Sequence, residues 1–250
     1  MVTVNVSTWS ELANAINNAM EDRTVELTRD IDMNEELPTG ATKVGGGNFM
    51  FTINGNGHKI KNIYFTVPSN SGSLFSGRSN YIMKINNLDF ENVYLANSSR
   101  FGANVELHNC SLSIKLENSQ IGDCTFYYCG LAVNGFGTSY LSYDRKAYFY
   151  FCNVELNGEF KHISGSYNDT YVKGNCTAGQ SVVYGRLAII NATIAFTGNF
   201  NYDGVAQLIL YNSETTTVPS GSTISEKLIP CTTAELMSPS ALRAKSFPMW

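Results

Sequence analysis

Charge is scarce in this chain. Asp, Glu, Lys and Arg make up 15% of its 250 residues, against roughly 25% in ordinary soluble domains. The net charge of −4 leaves no basic face for nucleic acid and no polybasic signal for a membrane surface. No apolar run approaches the ~20 residues needed to cross a bilayer. The opening Met1-Val2-Thr3-Val4-Asn5 lacks a basic stretch followed by an apolar one, and no lipidation motif occurs, so the chain as read is expected to be made and folded in a cytoplasm without a signal peptide. Catalytic and metal motifs are missing too. There is no Cys-x-x-Cys pair for zinc, no G-x-S-x-G nucleophile turn and no Asp-Asp pair. Gly45-Gly46-Gly47 is followed by no Gly-Lys-Ser/Thr and no helical pattern, which excludes a phosphate loop.

Asparagine is what the chain has instead, 27 residues against 17 of Lys plus Arg. With 43% hydrophobic residues it is not disordered, and its polar groups are expected to serve turns. Its six cysteines are not spaced like those of a small stapled domain. Cys110, Cys124 and Cys176 each follow Asn or Asp, and Cys152 precedes Asn153. That recurring place suits reduced, inert thiols in a core.

Thr8-Trp9-Ser10-Glu11 reads as a capping box, followed by Trp9, Leu12, Ala13, Ile16 and Met20 at helical spacing. Beyond it, short β-type runs alternate with Asn and Gly. Asn precedes such a run at Asn62, Asn87, Asn109, Asn153, Asn175, Asn191 and Asn212, and Asn134 fits the interval. A drifting period in the low twenties is that of a coil with variable corner loops. Each coil buries little alone and is stabilised by its neighbours, about 4.8 Å away, so seven or eight make a rod of roughly 35–40 Å. At these positions the asparagines are expected to form one ladder of stacked amides at a left-handed corner. Asn5, Asn97, Asn109, Asn168, Asn175 and Asn191 stand in Asn-x-Ser/Thr sequons and are read as corner chemistry, not glycosylation.

Ile53-Asn54-Gly55-Asn56-Gly57-His58-Lys59-Ile60 resembles the "I-x-G-N-G-H-x-I" rung of right-handed parallel β-helices in the pectin-lyase-like superfamily. Trp9 to Ile16 is similar to the helix that precedes the first strand in many of them. The resemblance implies an all-β, single-stranded right-handed parallel β-helix over 25–222, a helical cap over 1–24 that covers its open end and a docking tail over 223–250.

Lyases of that superfamily hold calcium with clustered acids and hydrolases pair carboxylates. Here Asp89, Glu91, Glu106, Glu117, Asp123, Glu155 and Glu159 are scattered, and His58, His108 and His162 lie far apart, so no catalytic, cofactor or metal site is expected. A leaderless, thiol-containing solenoid without a catalytic cluster resembles structural β-helices of bacteriophage virions, which often act as trimers. That implies a rigid rod docking on other virion proteins or on its own copies. A tailspike that binds or cleaves polysaccharide and a bacterial surface adhesin are the alternatives. Tyr140, Tyr143, Tyr148 and Tyr150, with Phe247 and Trp250 at the end, are the candidate interaction residues. Alternation predicts Tyr148 and Tyr150 outside with Phe149 and Phe151 inside. Stacking on a glycan, anchoring a protein neighbour and plain strand propensity all account for that aromatic run.

Overall fold

A computed structural model describes residues 1–36, 40–67, 72–142, 146–179, 181–196, 200–211 and 214–215; beyond Ser181 it describes side chains only at Ile194. Every strand-to-strand ladder among them is parallel, and the chain forms the parallel β-helix its repeats predict.

The coil built from Asp89–Ala96 and Arg100–His108 shows how. Its straight runs are separated by left-handed residues at Asn92, Asn97, Ser98, Asn104 and Asn109, which divide it into four faces: 89–91, 93–96, 100–103 and 105–108. Asparagine supplies most such corners, eight of the twelve non-glycine residues with positive φ among the described residues. Its short polar side chain tolerates a conformation in which Cβ crowds the carbonyl. Coils shorten along the axis: Asn86 follows its partner Asn54 by 32 residues, whereas Asn175 lies only 18 after Asn157.

Inside, like stacks on like. One column on the fourth face runs Val4, Val25, Ile53, Ile85, Leu107, Phe126, Phe149, Tyr167, all buried but Val4 at the open end. A second runs Ile31, Ile60, Phe90, Leu112, Leu131, Val154, Val172 on the first face. Phe126, Phe149 and Tyr167 stack ring on ring at 5.3 and 5.0 Å.

Two inner corners are lined by small hydrogen-bonding side chains. At one, the thiols of Cys110, Cys129 and Cys152 donate to the carbonyls of Ile85, Leu107 and Phe126 one coil away, at 3.5, 3.4 and 3.4 Å. The Thr170 hydroxyl continues the series to Phe149 at 3.1 Å. At the other, Ser99, Ser119 and Ser139 donate to Phe65, Leu95 and Leu116 at 3.4, 2.9 and 3.0 Å. The five described cysteines are free and buried; burial raises the Cys152 thiol to about 12. Cys124 and Cys176 do not share the corner of the other three, since both sit within strands, so the repeat is marked by Cys110, Cys129 and Cys152 alone.

The helix Trp9–Asn17 begins at Thr8, whose hydroxyl accepts from the Glu11 amide at 3.1 Å. The Glu11 carboxylate accepts from the Ser7 amide at 2.7 Å, which with the Ser7 hydroxyl holds its pKa below the ordinary value. Trp9 is fully buried, edge-on to Phe75 at 5.8 Å. Met20 lies beyond the helix end and is 87% exposed; it is not part of the apolar face. The strand Val2–Val6, inside the segment read as a cap, pairs with Arg23–Leu27 and is the first rung of the solenoid.

Candidate functional site

The single asparagine ladder does not form. Asn87 and Asn109 occupy one left-handed corner, between the fourth and first faces. Asn62 occupies another, where its amide donates to Asp32 at 2.8 Å and receives that of Asn92 at 3.2 Å. A second short ladder links Asn86, Asn54 and Glu26 at 2.9 and 2.7 Å. Asn134 points outward from a strand, paired with Lys115 and Asn157. Asn153 is buried beside Gly130 and Tyr171, and the Asn175 main-chain N–H donates to the Asn157 side-chain oxygen at 3.1 Å. Asn191 lies within the strand Ser181–Phe196, and Asn212 falls outside the described residues. The reason is that each coil has several corners and all of them favour asparagine, so one residue type marks several columns.

The corner of Asn87 and Asn109 continues upward with Tyr128, Phe151 and Asp169, at φ 55°, 55° and 48°. The register is carried by main-chain bonds from the Asn87, Asn109, Tyr128 and Phe151 amides to the coil above, at 3.0, 3.0, 3.0 and 2.9 Å. Left-handed backbone is rare for bulky residues and costs roughly 1–2 kcal/mol. Tyr128 and Phe151 nevertheless take it, their rings stacked at 5.2 Å and 9° and Tyr128 42% exposed. Phe151, expected inside, is thus an outer corner residue.

On the fourth face beside this corner, His108, Tyr127 and Tyr150 stack at 4.6 and 4.9 Å. The His108 Nε2 lies 3.5 Å from the Glu106 carboxylate. Stacking occupies ring faces, so Tyr127 and Tyr150 present edges and hydroxyls outward. Tyr148, in the neighbouring column between Thr125 and Ser166, is 37% exposed. Tyr140 lies on the third face, edge-on to His162 at 4.6 Å with the Lys161 ammonium 5.6 Å from its ring. Tyr143, Phe247 and Trp250 fall outside the described residues.

On the other side of the corner, the first face carries a trough of about 250 Å³. Its floor is made of residues in register on successive coils, small at Ser111, Gly130, Ser113 and Ala132: Ser111, Gly130 and Asn153 form one column, Ser113, Ala132 and Glu155 the next. Ion pairs close its ends, Lys59 with Glu91 at 3.4 Å and Lys173 with Glu155 at 2.7 Å. The Lys173 contact, then the Asn157 amide, holds the Glu155 carboxyl below its ordinary value. Asp89 accepts from the Ser111 hydroxyl at 2.7 Å. Farther across the sheet, the Lys115 ammonium sits 5.0 and 4.7 Å from the rings of Tyr94 and Phe136. The Tyr94 hydroxyl donates to Glu117, which raises its pKa to about 12.

Tyr128, the corner position of Phe151 and the trough went unread in the sequence, although a signal was present. Aligned on cysteine, Asn109-Cys110-Ser111, Tyr128-Cys129-Gly130 and Phe151-Cys152-Asn153 put the two aromatics in the asparagine place and Gly130 on the floor.

Among the described residues, no group of three His, Cys, Asp or Glu is placed to hold a metal ion, and no helix is long and apolar enough to cross a membrane. Fold and surface together define a pectate-lyase-like parallel β-helix. Residues 3–127, half of the chain, match the model of a family described as "putative pectate lyase-like adhesive domain", and the chain belongs to that family. A comparison with curated proteins finds no match. Among solved structures, the "crystal structure of a putative immunoglobulin A1 protease from Bacteroides ovatus" resembles it over 89% of this chain and 82% of that one, at 14% identity and a TM-score of 0.45, a likeness too loose to carry an argument. Neither comparison points to a bacteriophage virion.

Proposed function

We propose that this protein is a non-catalytic adhesive module, a stiff solenoid that holds a recognition surface on its flank and serves a surface-exposed assembly. The observation that carries this reading is the match of residues 3–127 to the adhesive-domain family. The fold supports it physically: side chains in stacked columns are ordered before any ligand arrives, so little conformational entropy is lost on binding. The virion rod expected from the sequence draws no support from the comparisons, and the surface adhesin takes its place. Polysaccharide cleavage is the competing activity. The test pairs two measurements on the full chain: retention of the purified protein on cells or extracellular matrix, and release of reducing or unsaturated ends from polygalacturonate and other polysaccharides. Retention without turnover is the expected result. Turnover that survives repurification would overturn the non-catalytic reading, and absence of retention on any surface would overturn the adhesive one.

A further inference from the structure

We propose that the side chains of Lys173 and Asn157 join in an autocatalytic isopeptide bond, with Glu155 as the proton carrier, and that this bond staples two neighbouring coils of the solenoid. The inference concerns the chain's own chemistry and stands whether or not the adhesive reading holds.

Register brings the three groups together. Glu155 and Asn157 stand two residues apart on the strand Asn153–Phe160, so their side chains share one face. Lys173, on the strand Gly165–Ala178, is the partner of Glu155 one coil on. Both outer groups meet the same carboxylate. The Lys173 ammonium lies 2.7 Å from Glu155 Oε2, and the Asn157 amide donates to Oε1 at 3.0 Å. The Asn157 side-chain oxygen in turn accepts from the Asn175 main-chain N–H at 3.1 Å. Gly174 leaves room for that last contact, since a Cβ there would crowd the same oxygen at 3.0 Å.

Each contact has a chemical role. Glu155 takes a proton from the Lys173 ammonium and frees the amine as a nucleophile. The amine attacks Cγ of Asn157, and the charge that develops on Oδ1 meets the Asn175 N–H already aimed at it. The Glu155 carboxyl passes its proton to Nδ2 and accepts the next one from the attacking nitrogen, and the Cγ–Nδ2 bond breaks. One Nζ–Cγ bond forms, ammonia leaves with the remaining proton as ammonium, and Glu155 ends ionised. The step consumes no oxidant and no co-reactant.

Lysine–carboxylate pairs on a sheet face are common and contribute little by themselves; Lys59 with Glu91 is of that kind. The Glu155 site differs in carrying an amide on the second carboxylate oxygen and a fixed main-chain donor on that amide. Asp32 also holds a lysine and an amide, Lys61 at 3.2 Å and Asn62 at 2.8 Å. Those two are neighbours in sequence, so a bond between them would tie no two coils, and the donor to the Asn62 oxygen is the Asn92 side chain. Joining 157 to 173 closes the turn of chain between them and removes freedom it would gain on unfolding, as a disulfide does. Coils that hold only their neighbours can open one interface at a time, and a bond across one interface stops that unzipping.

The experiment is intact-mass spectrometry of the full chain, fresh and after days at neutral pH, followed by tandem sequencing of its tryptic peptides. A mass lower by one ammonia is expected, with a branched peptide that joins Lys173 to Asn157. Lys173→Arg should abolish the branch and Glu155→Gln should slow its formation at least tenfold, with circular dichroism showing that both variants fold. The linked chain should also denature at a higher temperature than Lys173→Arg. Asn157 precedes Gly158, and attack by the Gly158 main-chain nitrogen would release ammonia too, leaving a cyclic imide. Equal loss of ammonia from Lys173→Arg would therefore overturn the proposal, as would an unmodified mass or a branch found only at Lys61 and Asn62. An unchanged rate in Glu155→Gln would overturn the role of Glu155, and an unchanged thermal midpoint would overturn the staple.

Discussion

Position 128 shows how one residue type can be read two ways. Left-handed corners cost least with asparagine, and Asn87, at φ 51° and exposed, is used for that property alone. Asn87→Ala is expected to lower stability by about 1 kcal/mol, visible as an earlier denaturation midpoint with unchanged slope. Tyr128→Asn goes the other way, a gain of up to about 1 kcal/mol. A loss there would show that the ring contributes more by stacking on Phe151 than its backbone costs. The thiols of the core are fixed at the same scale. Buried Cys124, Cys129, Cys152 and Cys176 have pKa values raised by desolvation, so thiolate is scarce at neutral pH. A thiol reagent is therefore expected to label them only as fast as the protein opens, with rapid labelling in denaturant as the control.

Among elements, the stacked columns hold most of the free energy. Phe149 is fully buried between Phe126 and Tyr167, and Phe149→Ala should cost about 3–5 kcal/mol, read by chemical denaturation. The helix Trp9–Asn17 matters for another reason. It closes the end of the core above Phe75, where an open rung would expose apolar surface and unpaired strand edge. Trp9→Ala is expected to cost a similar ~3–5 kcal/mol and to add self-association, seen by light scattering. Loss of stability without association would show that the helix fills the core but does not protect the edge.

For the whole molecule, the stacking of coils makes stability a sum of neighbouring interfaces, and acid acts on that sum through a few carboxylates. Hydrogen bonds from Asn62 and Lys61 hold the Asp32 pKa down, and Lys173 with Asn157 does the same for Glu155. Groups with depressed folded values stabilise fully above their unfolded values and lose that contribution as pH falls through the folded ones. Stability is therefore expected to be flat near neutrality and to fall below the ordinary carboxylate range of about 4. Asp32→Asn should shallow that fall, and an unchanged pH profile would show that other carboxylates govern it.

How much was legible follows from the same physics. Turn chemistry and alternation are local, so the repeat, the helix from Trp9 and the inward Phe149 could all be read from neighbours in sequence. The rung around Asn54-Gly55-Asn56-Gly57 was legible for one further reason. A Cβ on Gly55 would lie 2.4 Å from the Asn87 carbonyl oxygen, so the tight approach of the next coil is written as a glycine. The ladder was misread because asparagine marks every corner alike, and periodicity alone does not say which corner a residue occupies.

The sequence by itself determined that the chain winds into stacked parallel coils with a dry core, because corner residues and alternating apolar residues act within a few positions of each other. Only the tertiary structure decided which residues share a column. Register sets Ser111 over Gly130 and Ser113 over Ala132 to open a trough, and stacks Tyr128 on Phe151 at the neighbouring corner. Coil length varies from turn to turn, so those neighbours are fixed by hydrogen bonds between coils and not by any constant spacing along the chain.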